Sequence, residues 1–190
     1  MTKRTYKSDV GAIPKIVNNF KPKTLNQRVF HDIISEDQTQ LVLCHGIAGT
    51  GKTYVSIYKA LQDVLRRGTP YDKLIIINPT VDVGNEDKLG FLPGELSSKI
   101  QQYNESTFTI LDKIIGKDKA GKMIQDNKIE IGVLNFLRGV NLENCYVILD
   151  EAQNVSPMQI KTLLTRISEN CKMIIQGDMS QCDKYKTNGV

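Results

Sequence analysis

The chain has 190 residues, 40% of them hydrophobic and 24% charged, with a formal net charge of +4, and this composition is typical of one soluble globular domain. No apolar stretch approaches the ~20 residues that span a bilayer, so we do not expect a membrane protein. The charges at the amino terminus are not followed by an apolar segment, so we do not expect a secretory signal. The length also excludes a large multidomain machine from this chain.

Positive charge is concentrated near the amino terminus. Residues 1–28 carry seven basic residues and one acidic residue, a net charge of +6, whereas the rest of the chain carries 18 basic and 20 acidic residues, a net charge of −2. The charge indicates a basic arm at the amino terminus, and the extent of the family resemblance given below sets its boundary: residues 1–20 form the arm and residues 21–190 the domain. The arm either contacts an anionic partner or is simply solvated, and charge alone does not decide between the two.

The cysteines indicate a reducing compartment. None of the four forms a CxxC pair, and the chain has only two histidines, so the sequence lacks the spacing and the ligands of a zinc site. Buried free thiols are the better interpretation, and they imply a cytoplasmic location. The cysteines are Cys44, Cys145, Cys171 and Cys182.

In chain order, hydrophobic periodicity and capping signals predict four helices. They cover residues 25–35, residues 52 to about 67, residues 95–115, and a segment that starts at Ser156 with Pro157 and the capping-box residue Gln159. Short apolar runs predict strands at 41–45, 74–77, 129–133, 145–149 and 172–176. Between these elements we expect an extended arm to residue 24, a polar loop over 78–94 and a charged turn over 116–121. This alternation predicts an α/β fold with a mostly parallel sheet flanked by helices, which binds ligands at the carboxyl ends of its strands.

A complete P-loop lies between the first strand and the second helix. The sequence there reads GIAGTGKT, with the pattern GxxxxGK[ST]. Backbone N–H groups of such a loop bind phosphate oxygens, and the following helix directs its positive end toward them. Lys52 is expected to hold the β- and γ-phosphates and Thr53 to hold Mg²⁺. The predicted nucleotide-binding residues here are Gly46, Ile47, Ala48, Gly49, Thr50, Gly51, Lys52, Thr53 and the adjacent Tyr54.

Two later segments supply the remaining candidates for catalysis. Asp150 and Glu151 follow the buried strand 145–149, where Asp150 would hold Mg²⁺ through water and Glu151 would polarise the attacking water. Gln181 follows the last strand and is predicted to sense the γ-phosphate. A GTPase is not favoured: residues 87–90 match DxxG and residues 127–130 nearly match NKxD, but neither pattern stands in the right position relative to its strand.

Five segments, in this order along the chain, resemble the PhoH family of P-loop ATPases over roughly residues 20–190. They are residues 44–53, 88–94, 136–139, 147–154 and 177–181. The resemblance implies a RecA-like core related to the first motor domain of superfamily-one helicases. It also implies that Asn26 and Gln27 read the adenine edge and that residues 78–80 face nucleic acid. The small size is similar to that of phage members, which would work in the host cytoplasm.

The chain departs from the family at two points. Many members carry Arg where this chain has Asn78, which weakens the expectation of a phosphate or nucleic-acid contact there. The family also usually continues past the position of Val190 with another strand and helix.

The resemblance and the motifs together predict Mg²⁺-dependent ATP hydrolysis coupled to binding or remodelling of single-stranded RNA or DNA. Phosphoryl transfer usually needs an arginine, and the chain has only six. We expect Arg138 or Arg166 to be donated by a neighbouring copy in an oligomeric ring, most simply a hexamer. An ATP-switched assembly module without motor activity and a small-molecule or nucleotide kinase stay open as alternatives.

Overall fold

A computed structural model of the chain describes residues 16, 19–79, 104–132 and 141–181. Within these residues, five parallel strands form one sheet in the order β1-β5-β4-β2-β3. The strands are β1 (Leu41–His45), β2 (Lys73–Ile77), β3 (Ile129–Gly132), β4 (Cys145–Leu149) and β5 (Lys172–Gly177). The helices are α1 (Leu25–Ser35), α2 (Lys52–Leu65), α3 (Glu105–Ile115), α4 (Lys117–Gln125) and α5 (Pro157–Leu164). The predicted α/β fold with a parallel sheet is confirmed.

The sheet separates two hydrophobic cores because successive side chains of a strand point to opposite faces. In β2, Leu74 and Ile76 pack on the face covered by α1 to α4. Ile75 and Ile77 pack on the other face, which α5 covers. All four side chains are buried, which explains why β2 is a continuous apolar run rather than an alternating pattern.

Helix α1 is fixed to the sheet at its carboxyl end by a buried lysine on β5. The Lys172 ammonium donates to the carbonyls of Ile34 (3.0 Å) and Glu36 (2.7 Å), where the helix leaves carbonyl groups unsatisfied. Burial lowers the pKa of Lys172. At its amino end, Thr24 caps α1 through its side chain, which accepts a hydrogen bond from the Gln27 N–H. The Gln27 side chain, in the first turn of α1, donates to the Thr50 carbonyl and so holds this end of the helix beside the P-loop.

The predicted turn over residues 116–121 is wrong, because α4 occupies it. Gly116, at φ 86°, ends α3 as expected of a glycine, but the chain enters α4 directly after it. Ala120 and Met123 are buried against the core, and this packing outweighs the charged, glycine-containing sequence. The helix predicted for 95–115 begins at Glu105, with Asn104 as its N-cap, and residues 95–103 lie outside the described residues.

The other predicted elements are confirmed to within two residues at each described end. Helix α5 has the predicted capping box, in which the Ser156 hydroxyl accepts from the Gln159 N–H and the Gln159 side chain accepts from the Ser156 N–H. Cys44, Cys145 and Cys171 are free thiols, and the last two are buried with their sulfur atoms 3.8 Å apart. No helix among the described residues is both long enough and apolar enough to cross a membrane.

Candidate nucleotide-binding site

The P-loop connects the carboxyl end of β1 to the amino end of α2. Gly49 (φ 78°) and Gly51 (φ 85°) adopt left-handed conformations that other residues rarely accept, and Gly51 is the N-cap of α2. The Gly46 N–H donates to the Gly177 carbonyl of β5 (3.2 Å), which ties the start of the loop to the neighbouring strand. The glycines of the motif therefore have the conformational roles that a phosphate-binding loop needs.

Lys52 folds back over the P-loop. Its ammonium donates to the carbonyls of Gly46 (2.6 Å) and Ile47 (3.0 Å). An ammonium group has three N–H donors, so one remains for an anion. The charge thus lies over the loop at the amino end of α2, where both the ammonium and the helix dipole favour an anion.

Thr53 and Asp150 meet although 97 residues separate them in the chain. The Thr53 hydroxyl donates to Asp150 Oδ2 at 2.8 Å. Thr53 lies in the first turn of α2, and Asp150 directly follows β4 with 8% of its surface exposed. A hydroxyl and a carboxylate are hard oxygen donors of the kind that Mg²⁺ prefers, so this pair fits the ion that the motif implies.

Glu151 is held in an unusual backbone conformation beside this pair. Its φ of 49° is left-handed, which is uncommon for a residue other than glycine. Its N–H donates to Asp150 Oδ1 (3.0 Å), and its carboxylate accepts a 2.5 Å hydrogen bond from the Gln153 side chain. Such strained residues persist where surrounding contacts fix them, and they cluster at functional sites.

Sequence reasoning missed two residues at the end of β5. Gln176 donates from Nε2 to Asp150 Oδ1 (2.9 Å) and to Thr53 Oγ1 (3.2 Å), so it contacts both candidate Mg²⁺ ligands. Asp178 accepts the Ala48 N–H of the P-loop at 2.8 Å. The sequence signal for these two residues is a polar side chain that ends an apolar strand and an acid just after that strand.

Asp178 connects the P-loop to the segment that holds Glu151. Its N–H donates to Gln153 Oε1 (3.0 Å), while its carboxylate accepts from the Ser180 hydroxyl (2.6 Å) and N–H (3.0 Å). These Ser180 bonds, the Ala48 N–H and the Lys52 charge lower the pKa of Asp178, so it remains ionised at neutral pH. A Cβ at Gly177 would lie 2.5 Å from Gln153 Oε1, so a larger residue there would displace the Gln153 side chain from the Asp178 N–H.

Of the two residues predicted to read the adenine edge, Gln27 contacts the P-loop and Asn26 does not hydrogen-bond to it among the described residues. The Gln27 side chain donates to the Thr50 carbonyl of the P-loop (2.9 Å) and accepts from the Lys23 N–H (2.8 Å). Asn26 is exposed next to it on α1. Tyr54 is half-buried, and its ring lies near those of Tyr58 and Phe20, with centroids 6.4 and 6.0 Å away. Tyr54 thus supports the packing of α2 behind the loop.

The remaining predicted residues lie at the edges of the described structure. Gln181 is exposed at the end of a short 3-10 turn after β5, on the P-loop side of the sheet. Arg166 lies near the amino ends of the strands, opposite the P-loop, where its carbonyl accepts the N–H of Leu142 ahead of β4. Arg166 therefore does not reach the P-loop of its own chain. Arg138 and Thr80 lie outside the described residues, and Asn78 is buried at the end of β2.

Comparison with known families agrees with this geometry. The family model for PhoH-like proteins matches residues 19–190. This chain belongs to the PhoH-like family. It is 40% identical to the PhoH-like protein of Bacillus subtilis (strain 168), over 88% of this chain and 51% of that protein. It is 34% identical to Protein PhoH of Escherichia coli (strain K12), over 83% of this chain and 44% of that protein. The chain thus spans about half the length of these relatives.

A solved structure has the same fold. The SWI2/SNF2 ATPase core of Sulfolobus solfataricus, in complex with dsDNA, superposes with a TM-score of 0.51 and 16% sequence identity, over 90% of this chain and 34% of that chain. At this identity the likeness concerns the fold alone. The PhoH-like chain therefore has the predicted RecA-like P-loop fold.

Proposed function

We propose that this PhoH-like protein hydrolyses ATP with Mg²⁺. The observation that carries the proposal is the hydrogen bond between Thr53, in the helix after the P-loop, and Asp150, at the end of β4. It brings the amino end of the helix after the P-loop and the carboxyl end of an acid-bearing strand together at one edge of a parallel sheet, where such folds bind ligands. Family membership and the ATPase-like fold support the same proposal.

The residues divide the chemistry among them. The P-loop N–H groups and Lys52 bind phosphate oxygens, and Thr53 and Asp150 would hold Mg²⁺. When bound, the ion would neutralise charge on the phosphate oxygens. Glu151 would accept a proton from the attacking water, because its carboxylate is fixed by Gln153 next to the Mg²⁺ ligands. Gln27 at the P-loop supports adenine as the base, and Asn26 and Gln181 remain candidates for base recognition and for sensing the γ-phosphate.

We propose further that hydrolysis is coupled to single-stranded RNA or DNA. The net charge of +6 over residues 1–28 supports an anionic partner, and a similar fold in another protein is found in complex with dsDNA. An ATP-switched assembly module is the second candidate, since the same site could bind ATP without movement on a strand. A kinase is less favoured because it would need a lid of arginines over the molecule that accepts the phosphate, and the chain has only six arginines.

The test of the coupling is ATP turnover with and without single-stranded RNA or DNA. We expect Mg²⁺-dependent turnover that nucleic acid raises severalfold. This stimulation should decline steeply between about 50 and 200 mM salt, because basic groups that bind phosphates release counterions, and added salt opposes that release and weakens the binding. Removal of residues 1–15, which lie outside the family match and precede Ile16, a residue packed against the core, should weaken the stimulation and leave basal turnover unchanged.

Lys52→Ala is the blank in this assay, and heparin, a polyanion without bases, is the control for charge alone. Equal turnover in all nucleic-acid conditions would contradict the coupling. Nucleotide binding without any turnover would favour the assembly module instead.

We propose that a neighbouring copy completes the site in a ring, with a hexamer as the simplest form. Within the described residues, no arginine side chain forms a hydrogen bond or ion pair with the P-loop, Asp150 or Glu151, and Arg166 lies at the far edge of the sheet. If Arg138 or Arg166 acts across an interface, mixing that Arg→Ala variant with Lys52→Ala should regain activity that neither variant has alone. Sedimentation measures the assembly. A rate per chain that is independent of concentration, in a chain that sediments as a monomer, would contradict the ring.

A further inference from the structure

We propose that Gln176 is a positioning residue that sets the affinity of the site for Mg²⁺ by orienting both of its protein ligands at once. This inference rests on the proposed function. Gln176 is the last but one residue of β5, the strand between the P-loop strand β1 and the acid-bearing strand β4. From this position its side-chain amide reaches both Thr53, at the start of α2, and Asp150, after β4.

The hydrogen-bond directions fix how the amide lies. A carboxylate only accepts, so the Nε2 group of Gln176 must face Asp150 Oδ1, at 2.9 Å. The carbonyl oxygen then faces the other way, where it accepts a 2.5 Å hydrogen bond from the Ser56 hydroxyl of α2. The same Nε2 group lies 3.2 Å from Thr53 Oγ1, which itself donates to Asp150 Oδ2. The donors and acceptors of Gln176, Thr53 and Asp150 are therefore matched in each hydrogen bond of this ring.

Burial makes this ring of bonds rigid. Gln176 is 1% exposed and Ser56 is fully buried, so water does not compete for these groups. In such surroundings hydrogen bonds are electrostatically stronger than in water, and a fully satisfied network fixes its members in one arrangement. The Asp150 carboxylate therefore keeps one orientation before any ligand arrives.

A neutral amide suits this position better than a charged side chain. It satisfies one oxygen of Asp150 without adding positive charge, so it does not repel a cation that approaches the same carboxylate. Outer contacts of this kind orient metal ligands, and their loss typically costs about 10- to 100-fold in metal affinity. Gln176 thus acts through Asp150 and Thr53 rather than on the nucleotide.

The experiment measures ADP binding by calorimetry, with Mg²⁺ and with EDTA, in wild type and Gln176→Met. Methionine has a similar length but cannot hydrogen-bond to the carboxylate. We expect the enhancement of ADP affinity by Mg²⁺ to fall at least about 10-fold in Gln176→Met, with binding in EDTA changed less than about twofold. Ser56→Ala, which frees the other end of the amide, should shift the enhancement in the same direction by a smaller factor.

Thr69→Val is the matched control. It removes a buried hydroxyl that donates to the Asp63 carbonyl, beyond the far end of α2, and it should leave the enhancement as in wild type. If Gln176→Met does not fold, Gln176→Asn, whose amide is one methylene shorter, replaces it. An unchanged enhancement, or an equal loss of affinity with Mg²⁺ and with EDTA, would overturn the proposal. An ADP affinity of wild type that is the same with Mg²⁺ and with EDTA would overturn the proposed function itself.

Discussion

Lys52→Ala is expected to lower kcat for ATP hydrolysis by about 10²- to 10³-fold, the usual cost of removing one fixed group that stabilises transition-state charge. The ammonium lies over the P-loop, 2.6 Å from the Gly46 carbonyl, and alanine leaves no cation there. The backbone of the loop should keep its shape, because Gly49 and Gly51 determine its left-handed conformations. The measurement is steady-state phosphate release at saturating ATP.

Lys161→Ala is the matched control for Lys52→Ala. Lys161 is an exposed lysine in the last turn of α5, away from the P-loop, and its loss should leave turnover unchanged. A Lys52→Ala variant with wild-type turnover and a normal thermal melt would show that the P-loop is not the site of hydrolysis.

Glu151→Gln is expected to lower the rate of the chemical step by about 10²- to 10⁴-fold, the range that a positioned general base contributes. ATP binding should persist, since the variant keeps the size of the side chain and the contacts of Asp150 and Thr53. The new amide oxygen can still accept the hydrogen bond from Gln153, so the local structure should survive the change. Single-turnover hydrolysis beside calorimetric ATP binding separates the two effects.

Glu143→Gln controls for the loss of one surface carboxylate, because Glu143 is exposed near the amino end of β4. Parallel losses of binding and of hydrolysis in Glu151→Gln would indicate a structural role for this residue. Unchanged single-turnover hydrolysis would assign the base to another group.

Much of the fold could be predicted from the sequence because local signals agreed with the tertiary structure. Helix α1 has its predicted bounds, and the P-loop glycines at 49 and 51 adopt the conformations that only glycine accepts readily. The pairing of Thr53 with Asp150 was predictable because parallel strands place their carboxyl ends at one edge. The prediction of a turn where α4 lies was wrong because Ala120 and Met123 are buried against the core, and the charge and glycine content of the segment do not reveal that burial.

The finer geometry of the site could not be predicted, because it depends on contacts between distant segments. Lys172 and Gln176 lie on the same face of β5, yet one binds the end of α1 and the other the Mg²⁺ ligands. Gln176 lies at the carboxyl end of the strand, where ligands bind, and Lys172 at the amino end, but the partners of each side chain arise only once α1 and α2 pack on that face. The bond from Asp178 to the Ala48 N–H likewise joins residues 130 positions apart.

The position of β5 between β1 and β4 has a consequence for hydrogen exchange. Its ladder to β1 pairs Cys44 with Gln176, and its ladder to β4 pairs Leu149 with Ile175, so the strand cannot detach without breaking both. The amides of β5 should therefore exchange only through the global opening of the domain, while exposed loop amides exchange through local fluctuations. A nucleotide that binds only the folded state lowers the equilibrium population of the globally open state by the factor 1 + L/Kd, where L is the free nucleotide concentration. Exchange at β5 would then report, without any catalytic assay, how much of the protein is liganded.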